Sequence, residues 1–397
     1  MTTLPRRDLF DLPDGVIYLD GNSLGALPKH AKARIDAAIT EEWGTMLIRG
    51  WNAAGWYTLP ARVGERLAKL IGAPEGTVTC CDSTSVNLFK VLTSALSLTD
   101  RKVVLSDSGN FPTDLYVAQG ALNALDKGHS LNVVAPEAVM DAIDESVGVV
   151  MLTQVDYRTG RLHDMASITA KAHAAGALMI WDLAHSAGAL RVDLGGCNAD
   201  FAVGCGYKYI NGGPGAPAFL YVRADHADRI QPAMSGWMGH DAPFAFDLEF
   251  TPAEGIHRMR VGTPPVLSLT ALDAAMDIWD DVDMDALRMQ SIALTDLFIR
   301  QVEAKCAGHG LELATPREGA KRGSQVSFHC PEGYAVMQAL IAENVIGDFR
   351  APDIIRFGFA PLYNTEDEVR EAASRLADIL AERRWDKPEF LARQAVT

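Results

Sequence analysis

From Thr77 onward two patterns alternate along the chain, and that alternation constrains the fold more than any other feature. Short apolar runs fall at 77–81, 103–107, 131–134, 147–153, 177–182, 199–204 and 217–222. Stretches with helical spacing separate several of them, at 85–98, 113–126, 136–145 and 164–175. Strands that alternate with helices predict an α/β fold: a mainly parallel sheet with helices on both faces. Residues 51–280 are expected to form this large domain. A smaller α+β domain is expected over 281–397, with strands near 311–315, 324–329 and 354–359 and helices near 333–344 and 366–383. Residues 1–50 read as an arm and a helix that join the small domain.

The chemistry is concentrated in 177–219. The apolar segment from Ala177 to Trp181 stops on Asp182, as a buried strand does when it delivers a carboxylate at its C-terminal end. Open α/β sheets bind ligands outside those ends. Further on, Lys208 stands between Tyr207 and Tyr209, with glycines around it and the turn Asn211-Gly-Gly-Pro-Gly215 behind it. Singly, Asp182 could be a helix N-cap and Lys208 a solvated surface group. As a pair, each leaving a strand end, they suit pyridoxal 5'-phosphate (PLP). Asp182 would keep the pyridine nitrogen protonated, so that the ring can take up carbanion charge. Lys208 would hold the aldehyde as a Schiff base.

Other segments extend this pattern. Asp82-Ser-Thr-Ser-Val86 follows a short strand and opens a helix. Its free N–H groups, with the hydroxyls of Thr84 and Ser85, would cradle a phosphate; plain N-capping by Ser83 or Thr84 is the alternative. Arg356 interrupts the apolar strand Ile354-Ile-Arg-Phe-Gly358. Such an arginine either pairs at the surface or grips an anion bidentately. A helix is expected to start at Pro28, with Ile35, Ala38, Ile39 and Trp43 on one apolar face. Arg49 to Trp56 mixes glycine with two tryptophans and reads as a loop, and Asp228 to Thr263 is irregular.

Composition narrows the partners. With 51 acidic against 36 basic residues the net charge is −15, and no Lys/Arg cluster offsets it. Nucleic acid and anionic membranes are therefore excluded as expected partners. No apolar run approaches the roughly 20 residues that span a bilayer. The first ten residues lack the apolar core of a secretory signal. The six cysteines form no C-x-x-C pair and no zinc-spaced cluster, so a reduced, cytoplasmic protein without a metal site is expected.

Five segments together carry a resemblance: Leu19-Asp-Gly-Asn-Ser-Leu-Gly25, Asn110-Phe-Pro-Thr-Asp114, Asp182-Leu-Ala-His185, Tyr207-Lys208-Tyr209 with its glycine-rich tail, and Ser235-Gly-Trp-Met-Gly-His240. From about Gly15 to the last helix the chain resembles the class V aminotransferase superfamily of PLP fold type I and, within it, the kynureninases. That resemblance implies hydrolytic Cβ–Cγ cleavage of L-kynurenine to anthranilate and L-alanine, with weaker use of 3-hydroxy-L-kynurenine. It implies a place in tryptophan degradation and NAD biosynthesis. By the same match, Thr84 and Ser85 hold the cofactor phosphate and Phe111 stacks on the ring. Pro112, Thr113, Asp114, Thr153 and His185 line the cofactor. Tyr207 bonds the phosphate and takes part in proton transfer. Trp237 and Thr263 are implied to reach the phosphate across the interface of a homodimer with shared active sites. Arg356 is implied to bind the substrate carboxylate, with Ser23, Trp51, Gly262 and Thr263 around the substrate. A cysteine desulfurase of the same superfamily is the rival, with Cys330 as its only candidate nucleophile in the small domain. A PLP-fold regulator would need a basic DNA-binding module that this chain lacks.

Overall fold

The structure is a computed structural model that describes residues 4–393; expectations touching 1–3 and 394–397 lie outside the described residues. The seven expected strands all form: β1 (Val78–Cys80), β2 (Val103–Asp107), β3 (Ser130–Val134), β4 (Val147–Thr153), β5 (Leu178–Asp182), β6 (Phe201–Cys205) and β7 (Ala218–Val222). They make one sheet in the order β1-β7-β6-β5-β4-β2-β3. β7 runs antiparallel to both neighbours, and the pairs from β6 to β3 are parallel.

Six of the seven strands are buried along nearly their whole length because both faces of the sheet are covered there, whereas edge strand β3 is largely exposed. Along β4, Val150 and Leu152 enter one core, with Met179 and Trp181 of the next strand. Their alternates Val149 and Met151 enter the opposite core with Ile180 and Val203. Period-two side-chain alternation thus feeds two cores from one strand.

The small domain is a second, four-stranded antiparallel sheet: β8 (Glu312–Leu313), β9 (Gln325–His329), β10 (Asp348–Arg350) and β11 (Ile354–Gly358), ordered β8-β9-β11-β10. Helices Met284–Lys305, Gly333–Ala342 and Glu366–Ala381 cover it. Phe298 anchors that core, with its ring centroid 4.8 Å from that of Phe357. Ile17 to Leu19 belong here as well, whereas Phe10 and Ala26 are buried in the core of the large sheet. Ile17–Tyr18 pairs in parallel with Val345–Ile346, and Ile17 and Leu19 are buried in the small-domain core.

Four local expectations are corrected. Gly50–Ala53 is a helical turn, not a loop. The stretch 136–145 forms only two short turns, Pro136–Ala138 and Val139–Ala142, because the backbone turns extended at Ile143. β10 was not expected at all: three residues, two of them charged, carry no strand signal. The helix over Lys29–Ala37 continues as a wider, π-type helix over Ala38–Met46, and its apolar face does not enter a core, since Trp43 is 57% exposed and Ile39 43%.

One buried charge cluster braces the large sheet. Asp200 accepts from His173 (2.7 Å), His226 (2.8 Å), Arg223 (2.8 Å) and the Met179 N–H (2.8 Å). Burial alone would raise its pKa. The bonds from the histidines, the N–H and the arginine outweigh burial and hold it below the usual carboxylate range. A depressed folded pKa gives stability that is present above the unfolded pKa of about 4 and lost as pH falls through the folded value. Asp200→Asn is therefore expected to cost about 3–5 kcal/mol at neutral pH. Thermal unfolding should show that difference shrinking in acid; a deficit independent of pH would oppose this account.

Candidate active site

Because β7 is antiparallel to both β1 and β6, β1 runs the same way as β6. The carboxyl ends of β1, β2, β4, β5 and β6 therefore share one edge. The segment after each delivers an expected residue there. Thr84 opens a helix after β1, Phe111 to Asp114 follow β2, Thr153 ends β4, Asp182 ends β5, and Tyr207-Lys208 follow β6. The chain leaves β2 outward to β3, then returns to build β4, β5 and β6 on the other side. That reversal opens the crevice in which ligands of such sheets bind.

Lys208 Nζ lies 3.0 Å from His185 Nε2 and 5.8 Å from the centre of the Tyr207 ring. Burial, and then the Lys208 charge, push the His185 imidazole well below its usual pKa, so it is neutral and its Nε2 accepts from the lysine. The turn at Asp20–Gly25 packs on the lysine loop, with Gly25 N–H donating to the Tyr207 carbonyl at 2.8 Å. A Cβ at Gly25 would lie 2.3 Å from the Lys208 carbonyl oxygen, so only glycine permits this approach.

Asp182 is buried and accepts from the Ala184 N–H at 2.8 Å. Burial raises its pKa, and the Lys208 charge pulls it back. Asp114 is buried beside it. Burial and the neighbouring Asp182 charge hold the Asp114 carboxyl well above the carboxylate range, so it keeps its proton and bonds Asp182. Thr153 hydrogen-bonds Asn110, which in turn donates to Ser106 Oγ at 3.0 Å, and this ties the loop bearing Phe111 to the sheet.

Two cavities meet at Tyr207. One, of about 690 Å³, is lined by Thr84, Ser85, Tyr207 and Thr263 among others. Ser83 caps the helix through the Val86 N–H at 3.4 Å, and first-turn N–H groups have no partner within a helix. Lys90, fully buried, braces the turn: its Nζ bonds Asp82 Oδ2 (2.8 Å) and the Met259 carbonyl (2.7 Å). The other cavity, of about 160 Å³, brings Ser23, Phe111, His185 and Lys208 together with Arg350 and Arg356. The first offers N–H and hydroxyl donors, as a phosphate requires, and its neighbour offers the Lys208 amine, whose charge acts on the buried Asp182 carboxylate. This donor set fits PLP.

Arg356 is buried, but it is not a free anion hook. Its Nε donates to Asp348 Oδ1 at 2.8 Å and its Nη2 to Asp348 Oδ2 and to Ser23 Oγ (2.9 Å). β10 and β11 set this up, since Asp348 and Arg356 are direct cross-strand partners. Asp348, Arg350 and Lys90 had not been anticipated. For the first two the sequence carries no signal, because the strand that puts them on one face is not readable in it.

A single chain does not gather every expected residue. Trp51 and Trp237 line a third cavity, of about 1040 Å³, with Tyr57, Phe244 and Phe246, whereas Thr263 lines the first cavity. Gly262 is exposed beside Thr263. Trp51 also packs edge-on against Trp56, with ring centres 6.2 Å apart.

Solved structures share this fold. A cysteine desulfurase from Thermococcus onnurineus NA1 matches with a TM-score of 0.80 at 19% identity, over 96% of this chain and 99% of that one. A variant of C-DES with glycine covalently linked to its PLP cofactor also gives 0.80, at 21% identity over 94% and 99%. At such identities the likeness concerns the fold. Sequence relatives are more specific. Residues 287–376 match the family described as Kynureninase C-terminal domain. The kynureninase of Pseudomonas fluorescens is 53% identical over 99% of this chain and 96% of its own length, and that of Burkholderia pseudomallei (strain 1106a) is 52% identical over the same shares. The chain belongs to the kynureninase family.

Proposed function

We propose that this protein is a PLP-dependent hydrolase that cleaves the Cβ–Cγ bond of L-kynurenine, giving anthranilate and L-alanine in tryptophan breakdown. The observation that carries the proposal is the meeting of Lys208 and His185 with the small-domain arginine pair in one cavity, with the buried Asp182 at the end of β5 acting on the lysine, in a chain of this family. PLP, when bound, supplies a carbonyl for the substrate amine and a ring that takes up carbanion charge. Thr84, Ser85, Tyr207 and Thr263 would hold its phosphate, and Phe111 would cover its ring. Asp182 would face the ring nitrogen, with its charge favoured there by the protonated Asp114 beside it. Lys208 would move the proton at the substrate Cα, and neutral His185 steadies its amine. Burial raises the Tyr207 phenol, which stays protonated as a donor. Water must then reach the γ-carbonyl for anthranilate to leave. Appearance of anthranilate fluorescence from L-kynurenine tests the activity; a purified, PLP-loaded protein that releases none would overturn it.

Ring selectivity follows from Trp51, Gly262 and Thr263. A large indole, a glycine and a short hydroxyl offer an added phenol little to pair with, at a cost of about 1–3 kcal/mol. L-kynurenine is expected to exceed 3-hydroxy-L-kynurenine in kcat/KM by about tenfold. Parallel kinetics decide it, and equal values would show that these residues do not set the choice.

The assembly proposed is a cytoplasmic homodimer with shared sites. Two features support it: Trp237 lies outside the two Lys208-side cavities of its own chain, and a broad apolar surface is left open. Ile48 is 76% exposed, Phe246 76% and Phe244 61%. Monomers rarely expose so much contiguous apolar area. Mixing inactive Lys208→Ala and Trp237→Ala subunits should restore activity, because one hybrid site then has both residues; mixtures that stay inactive would oppose sharing.

The division into an N-terminal arm (1–50), a PLP domain (51–280) and a small domain (281–397) belongs to the same proposal. The cysteine desulfurase alternative is not favoured. Cys330 is buried at a strand end, and burial pushes its thiol up to about 11, which does not suit a mobile nucleophile.

A further inference from the structure

We propose that Arg350 is a second cationic contact for the substrate carboxylate, without which the anion site has neither the charge nor the donors to hold it. The inference rests on an amino-acid substrate, as the proposed function requires.

Donors come first. A guanidinium carries five N–H hydrogens. Arg356 directs one from Nε to Asp348, two from Nη2 to Asp348 and Ser23, and one from Nη1 to the Tyr157 carbonyl. One Nη1 hydrogen remains, and a bidentate grip needs two. Arg350 lines the same cavity, and its side chain is 33% exposed where that of Arg356 is 1% exposed. It bonds Asp348 Oδ2 (2.8 Å), Ser23 Oγ (3.3 Å) and the Phe349 carbonyl (3.4 Å), all from its terminal nitrogens. Its Nε donates to nothing among the described residues.

Charge points the same way. Asp348 neutralises Arg356. Burial, and then the Asp348 charge, push the Asp20 carboxyl well above the carboxylate range, so Asp20 adds no second anion. With its amide turned so that both ends find partners, Asn22 bridges Asp20 and Arg356, donating to Asp20 Oδ1 (3.2 Å) and sharing with Asp348 the single hydrogen of Arg356 Nε (2.9 Å). His185 is neutral, and the Tyr18, Tyr157 and Tyr209 phenols are all raised, so none of these adds charge. The Arg356–Asp348 pair alone is a dipole. Arg350 gives the three-residue cluster a net charge of +1, separate from the Lys208 amine committed to the cofactor, and a net charge attracts over a longer range than a dipole. Asp348 holds both guanidinium groups in place, on the same face of its own strand as Arg350.

The test uses the PLP-loaded enzyme with Arg350→Gln and Arg350→Lys. For L-kynurenine, Arg350→Gln should raise KM by tenfold or more, with kcat falling less than KM rises, and Arg350→Lys should recover part of the loss. L-alanine carries the same carboxylate. Its binding, read from the cofactor absorbance, should weaken by a similar factor, while binding of L-alaninamide should not change. Unchanged KM and L-alanine affinity in Arg350→Gln would overturn the proposal. So would equal losses for L-alanine and its amide, which would mark a general structural role. A parent enzyme that binds L-alanine but never cleaves L-kynurenine would overturn the substrate assignment and leave the test of Arg350 standing.

Discussion

Lys208→Ala is expected to abolish turnover, lowering kcat by at least about 10³-fold, as removal of a positioned acid–base group does. No neighbour can replace the amine. Burial, and then the Lys208 charge, hold the pKa of His185, 3.0 Å away, well below the usual imidazole value, which makes it a weak base, and Tyr207 stays protonated. The cradle at Thr84 and Ser85 and the carboxylate at Asp182 stand on other elements, so the variant should still bind PLP. Borohydride reduction of the parent protein should leave the cofactor on the peptide carrying Lys208, and reduction of the variant should label no lysine. Activity within tenfold of the parent, or a label on another lysine, would remove Lys208 from its role.

Arg356→Ala should damage both stability and catalysis. Asp348, 4% exposed, would lose its bidentate partner, and breaking a buried ion pair costs about 3–5 kcal/mol. The Asp348 pKa follows suit. Burial alone would raise it, but Arg356 and then Arg350 hold it below the usual range, so its contribution is present at neutral pH and fades in acid. Loss of a hydrogen-bonded charge contact to substrate adds about 2–5 kcal/mol, at least about 30-fold in kcat/KM. Arg356→Lys should recover little, because an ammonium cannot reproduce the paired fork. Thermal unfolding and steady-state kinetics read the two losses separately. A variant with the parent's melting temperature and kcat/KM would place Arg356 outside both roles.

The sequence was legible where one pattern dominated. Six of the seven strands of the large sheet, all but edge strand β3, are buried on both faces, so their apolar runs stand out, and the acid or lysine after a run marks its end. Thr84, Asp182 and Lys208 stand out because each sits at such a transition, whereas Asp114 is marked only by the family resemblance. β10 was invisible: Phe349 alone points into the core, and its neighbours Asp348 and Arg350 read as loop residues. The pairing of Asp348 with Arg356 needs strand register, which periodicity does not supply. Trp43 misled for the opposite reason. Its helical spacing is real, but the face it marks is not buried within one chain.

The N-terminal strand has a further consequence, for the order in which the molecule can fold. Ser23 Oγ bonds Asp348 across a sequence separation of 325 residues, and Asn364 bonds the Tyr18 carbonyl across 346. Contacts this distant cannot form during synthesis until the ribosome has made nearly the whole chain, whereas the large sheet is complete by Val222. Closing such long loops is slow, and segments waiting for their partners are exposed to proteases and to aggregation. The large sheet can therefore mature early, while the wall around Arg356 is assembled later, from segments more than 300 residues apart.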